Sequence, residues 1–189
     1  KKQAPYYRKV RYLARTAALY TDLQSGDCSR RVAAANALAE VADLVDIGPL
    51  RDALGDRRTE VASAAEDALQ RVGLDAFDAL LAGLSHENEQ VRQRSYELLA
   101  AYGQSARKEL QGALEAEEPS TTRQVAQLLA ELGARQELAD SLLWIGQPHQ
   151  RGIMDALLSE GVAASDSLLR VLCRAPAERR GLILDVLAA

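Results

Sequence analysis

Leucine recurs along this chain at a nearly constant interval: Leu38, Leu69, Leu99, Leu129, Leu158 and Leu187, spaced by 31, 30, 30, 29 and 29 residues. A second series runs in step with it through Leu23, Leu54, Leu84, Leu114, Trp144 and Leu172. A third is glycine, at Gly73, Gly103 and Gly133. A period of about 30 with two apolar registers predicts a two-helix unit repeated and stacked, because neither helix of such a unit can bury its apolar face alone.

Composition selects helix over strand. Aromatic residues make up 4% of the 189, Ala and Leu dominate, and no apolar run alternates at period two. The prediction is an all-α, right-handed α-solenoid of about six antiparallel helix pairs, with the second helices lining the concave face. The first helices align at 30–38, 61–69, 91–99 and 121–129. The second helices align at 50–54, 80–84 and 110–114, each showing Leu-x-x-x-Leu, which sets both leucines on one helical face. Punctuation agrees with the period. Pro5, Pro49, Pro119, Pro148 and Pro176 stand where helices should begin, and the three glycines stand where first helices should end. Helices are expected at 5–25, 28–44, 46–55, 58–72, 74–84, 88–102, 104–115, 119–132, 134–144, 148–160, 162–173 and 176–188. Two regions result: a basic N-terminal helix at 1–26, docked as a cap or half-repeat, and a repeat array at 27–189 whose pattern weakens from 146.

The formal charge of −4 conceals an asymmetry. Residues 1–24 carry Lys1, Lys2, Arg8, Lys9, Arg11 and Arg15 against Asp22, while the remaining residues hold 17 basic and 26 acidic side chains, a net of −9. An acidic body is a poor phosphate-binding surface, so nucleic acid is not an expected partner. Cys28 and Cys173 fall in the first and last repeats, too far apart to bridge, and a reducing, cytoplasmic compartment is the expectation. No stretch has the length and apolarity of a membrane span, and the opening residues are not expected to act as a signal peptide.

The stretches at 30–38 (Arg-Arg-Val-Ala-Ala-Ala-Asn-Ala-Leu) and 91–99 (Val-Arg-Gln-Arg-Ser-Tyr-Glu-Leu-Leu), with Asp27 and Asp56 in the turns before first helices, resemble the HEAT repeat. They are most similar to the short, roughly thirty-residue variety named after phycobilin lyases. The resemblance covers about 27–145 well and 146–189 weakly. It implies that Arg31, Arg92 and Arg123 pair with turn aspartates of adjacent repeats as an internal ladder. It implies a fold but not an activity, since this repeat serves scaffolds, adaptors and lyases alike.

Catalytic signatures are missing. There is no His-Glu-x-x-His, no Cys-x-x-Cys, no Gly-x-Ser-x-Gly and no phosphate-cradling glycine loop. His86-Glu87 is similar to the His-Glu pairs with which HEAT-like diiron hydroxylases hold metal. Such sites need several pairs facing one another, and the other histidine, His149, lies two repeats away, so an inter-repeat turn is the expected role. No cofactor, metal or catalytic residue is therefore assigned. Trp144, sharing a register with Leu54, Leu84 and Leu114, is expected in the core. Cys173 reads as a small hydrophobe, and Cys28 as a turn residue without the basic surroundings of an activated thiol. The final helix, with Leu182, Ile183, Val186 and Leu187, should have one uncovered side.

Together these features predict a non-catalytic protein–protein interaction scaffold or adaptor, with a protein partner that the repeat does not identify. Candidate contact residues flank the core leucines of the second helices: Arg51, Asp52, Asp78, Lys108, Gln111, Gln136, Asp140 and Arg170. The alternative is a HEAT-like lyase, isomerase or metal-dependent hydroxylase, which would need a pocket of converging polar groups. On the N-terminal helix Tyr6, Val10, Leu13, Ala17 and Tyr20 share one arc, and Arg8, Arg11 and Arg15 an arc on the opposite side. Two compatible readings stand: a cap with a solvated basic stripe, or a flank held against an anionic membrane surface. With no initiator Met and an opening half-repeat, the chain is expected to be part of a longer protein, the preceding segment being either a membrane span, with Lys1 and Lys2 at its cytoplasmic boundary, or further repeats.

Overall fold

In a computed structural model of the chain, residues 16–42, 46–116 and 118–188 are described. Regular structure among them is helical throughout, with no strand. Helix α1 spans 16–23. It is followed by α2 (Cys28–Ala39), α3 (Gly48–Asp52), α4 (Thr59–Val72), α5 (Phe77–Gly83), α6 (Glu89–Tyr102) and α7 (Arg107–Ala116). Then come α8 (Pro119–Glu131), α9 (Arg135–Ser141), α10 (Gln147–Ser159), α11 (Val162–Arg174) and α12 (Ala177–Ala188). This is the all-α helical-repeat, solenoid-type fold that the period predicts. The chain divides into two compact units, Lys1–Leu98 and Leu99–Ala189.

In the first unit α2 stacks on α4, first helix on first helix. The contact is made largely of alanine: Ala34 and Ala35 on α2, and Ala62, Ala64, Ala65 and Ala68 on α4, are all buried. Side chains this short let two helix axes approach closely. Leu38, Leu50, Leu54, Leu69, Leu80 and Leu84 close the core around them, each burial contributing roughly 2 kcal/mol. In the second unit α8 stacks on α10 in the same way. There the approach depends on Gly152, where a β-carbon would lie 2.9 Å from the backbone nitrogen and Cα of Arg123.

Helix punctuation follows the residue chemistry. Pro49, Pro119 and Pro148 occupy the first turns of α3, α8 and α10, where a missing N–H leaves no helical bond unmade. Gly73, Gly103 and Gly133 have φ of 69°, 57° and 73°, a region that a β-carbon disfavours. Gly161, with φ of 54°, continues the series 28 residues on, a position that a strict period of 30 overlooks.

That contraction explains the principal departure from the predicted core. After Gly73 and Gly103 the chain makes a short 3-10 turn before α5 and α7, placing the core leucines seven and eleven residues past each glycine. After Gly133 the turn is missing and α9 starts two residues past the glycine rather than four, so Leu138 and Leu142 fill the core instead. Trp144, expected there, is displaced to the surface with 46% of its area exposed, and Ile145 is buried beside it. The later registers slip with it. Leu157, Val171 and Val186 are buried, where the leucine series pointed to Leu158, Leu172 and Leu187. The last helix is also better covered than expected, since Ile183 and Val186 are both buried and Leu184 is half exposed. Helices α2 and α9 are shorter than predicted, ending at Ala39 and Ser141.

Candidate functional site

The inter-repeat turns use one recurring device. Asp27 accepts the N–H of Ser29 at 2.9 Å, and Asp56 accepts that of Arg58 at 2.8 Å. Thirty residues on, His86 does the same for Asn88 through Nδ1 at 3.0 Å. Only an unprotonated ring nitrogen can accept an amide hydrogen, so in the neutral ring the proton resides on Nε2. That atom faces Asp52 Oδ1 at 3.5 Å. Both ring nitrogens of His86 are thus engaged with the protein, and the His86-Glu87 pair is built into a turn. His149, in the other unit, places Nδ1 2.8 Å from the Thr122 hydroxyl.

The arginine ladder implied by the family resemblance is realised at its first rung and altered beyond it. Arg31 Nε and Nη2 bond Asp56 at 2.8 and 3.2 Å, while Nη1 donates to the carbonyl of Ser25 at 2.7 Å. Burial pushes the Asp56 carboxyl up, but the Arg58 N–H, the hydrogen bond and charge of Arg31, and the charge of Arg57 outweigh it and hold the group below its ordinary value. Arg92 keeps only the second function: its Nη1 donates to the carbonyls of His86 and Glu87 at 2.7 and 2.9 Å. Arg123 pairs at 2.8 Å with Asp155 of α10, on an exposed helix surface rather than in a turn.

The candidate contact residues separate between the two units. In the first, Arg51 Nε donates to Asp52 Oδ1 at 2.8 Å, and Asp52 and Asp78 are exposed. In the second, Lys108 is exposed and Gln111 half-buried on α7. Gln136, Asp140 and Arg170 gather into one surface. Gln136 Nε2 donates to Asp140 Oδ1 at 3.1 Å along α9, and Asp140 is ion-paired with Arg174 of α11. Arg174 Nε also reaches the carbonyl of Arg170, one turn back, at 3.4 Å. Trp144 lies exposed in the turn that follows α9, and Arg179 Nη1 donates to the neighbouring Ile145 carbonyl at 3.0 Å. Trp144 and Arg174 are the residues that the sequence reasoning missed. For Arg174 the signal lay in the spacing on α11, because Asp166, Arg170 and Arg174 stand at −2, +2 and +6 from Leu168 within one helix, whereas Trp144 lies beyond the end of α9. The basic stripe of Arg8, Arg11 and Arg15 lies outside the described residues.

Two further features complete the second unit. Arg107 on α7 bonds Glu137 of α9 at 2.6 Å and Gln104 at 3.0 Å, tying successive second helices together. A cavity of about 440 Å³ is lined by residues of the α10 end, α11 and α12, among them Leu157, Leu158, Val162, Leu168 and Val186, with Ser165 the hydroxyl in its wall. Among the described residues no group of three or more His, Cys, Asp and Glu side chains is placed to hold a metal ion. No described helix is long and apolar enough to cross a membrane.

No family model matches the chain, and no curated protein matches it. Among solved structures it is similar to a crystal structure of an engineered protein, at 15% identity over 92% of this chain and 95% of that one, with a TM-score of 0.30. A designed armadillo repeat protein matches at 16% identity over 90% and 98%, with a TM-score of 0.29. A second engineered protein matches at 17% over 92% and 97%, with a TM-score of 0.30.

Proposed function

We propose that this chain is a non-catalytic scaffold of HEAT-like repeats that binds a protein partner through its second helices. The observation carrying the proposal is the surface formed by α9, the turn after it and α11, where Asp140 accepts from Gln136 and pairs with Arg174, Arg170 is exposed and Trp144 stands 46% exposed. Trp and Arg are the residues most enriched where protein interfaces concentrate their binding energy. The use of titratable groups supports the same reading: Arg31, Asp56, His86 and Arg92 are engaged in holding turns. Acid–base chemistry needs such groups convergent on a cavity, whereas the residues lining the cavity beside α12 offer the Ser165 hydroxyl and no titratable side chain.

Affinity capture with the whole chain as bait, followed by binding measurements with each recovered protein, tests the proposal. Specific, saturable binding by at least one protein is the expected result. Failure to recover a partner, together with turnover of a small molecule by the purified chain, would overturn it in favour of the lyase or hydroxylase alternative.

A further inference from the structure

We infer that the Trp144 end of the α9–α11 strip seats an acidic peptide segment carrying a bulky apolar side chain. The inference rests on the scaffold reading and deepens it by naming the chemistry of the partner. Three observations converge. First, Trp144 is outside the core because the connection after Gly133 is two residues short, and its indole stands 46% exposed. A large aromatic at a solvent boundary is the side chain best able to bury area on a partner at low entropic cost. Second, three arginines stand on the elements that flank it. Arg174 pairs with Asp140, four residues before Trp144, exposed Arg170 lies one turn back on α11, and Arg179 Nη1 donates to the carbonyl of Ile145, next to Trp144. Third, the charge is uneven along the strip. Asp166 and Gln136 stand at its far end, while Arg170, Arg174 and Arg179 exceed Asp140 and Glu178 at the tryptophan end. This is a local positive patch on an acidic body. It suits carboxylates, which Arg binds in a planar fork, together with one apolar residue packed on the indole. A basic partner would be attracted to the body and repelled here.

Trp144 is the sole tryptophan in the chain, so its emission reads the surface directly. The probe is a fluorescein-labelled peptide rich in Asp and Glu around one Phe, with a control in which every acid is replaced by Lys. The acidic peptide should shift Trp144 emission to shorter wavelength and bind with an affinity that falls as salt rises. In anisotropy titrations, Trp144→Ala and the double variant R170E/R174E should each weaken binding about tenfold or more, with helical circular dichroism unchanged. No emission change, equal binding of the Lys control, or unaltered affinity in both variants would overturn the inference. If partners captured by the whole chain bind W144A and R170E/R174E as they bind the parent, the scaffold reading stands and this surface is not their seat.

Discussion

Arg31 shows how a single residue secures a repeat. Its guanidinium holds the Asp56 carboxylate in a fork and the Ser25 carbonyl with a third bond, so one side chain fastens the turn before α2 to the turn before α4. Replacing Asp56 by Ala leaves that largely buried cation short of its counter-charge, and should lower stability by about 2 kcal/mol in denaturant titrations. The sign of the pH dependence follows from the carboxyl. Its folded pKa is depressed, so its contribution is present above the unfolded value near 3.8 and is lost as pH falls through the folded one. The stability gap between the parent and Asp56→Asn should therefore be full at neutral pH and shrink below about pH 4. Ser95 is the opposite case. It is buried, its hydroxyl has no hydrogen-bond partner among the described residues, and Ala65 and Val125 stand in the same register. Ser95→Ala should raise stability by about 1 kcal/mol, and a lower unfolding midpoint would show that the hydroxyl is satisfied.

At the scale of the element, helix approach distance is set by what lies on the contact face. Gly152 lets α10 ride on the backbone of α8, which cannot yield as a flexible side chain can. Gly152→Ala should cost about 1–3 kcal/mol, whereas Gly112→Ala, where a β-carbon meets open space, should be neutral or stabilising. Comparing the two unfolding midpoints separates packing from helix propensity, which favours Ala at both. The contracted connection after Gly133 is a second element-scale feature. Inserting two residues there restores the spacing of seven and eleven between glycine and core leucines. The insertion should be tolerated, with Trp144 emission remaining that of an exposed indole; loss of helical signal would show that α9 needs the short connection.

Across the molecule, stability in a repeat array is local, each repeat drawing on its neighbours. Within the second unit α8 buries Thr121, Thr122, Val125, Ala126 and the run from Leu128 to Ala130, while α12 buries Ile183 and Val186. Amide hydrogen exchange should accordingly be slowest in α8 and fastest in α12. Uniform protection over both helices would mean that the unit opens only as a whole.

The period by itself determined the fold class, the helix pairs, the proline starts and the glycine stops, because these depend on spacing and on backbone conformations open to few residue types. It also placed Arg170 on a second-helix surface, two residues past the core Leu168 and so turned away from it, whereas Gln136 has its side-chain oxygen buried. Tertiary structure alone decided the rest. A missing 3-10 turn shifts a helix by two residues and exchanges the core and surface roles of Leu142 and Trp144, a change that no count of apolar residues reveals. The ion pair between Asp140 and Arg174 joins side chains 34 residues apart, and only the stacking of α9 against α11 brings them together. Local chemistry is written in the chain, but the register between neighbouring helices is fixed by packing, and the surface depends on that register.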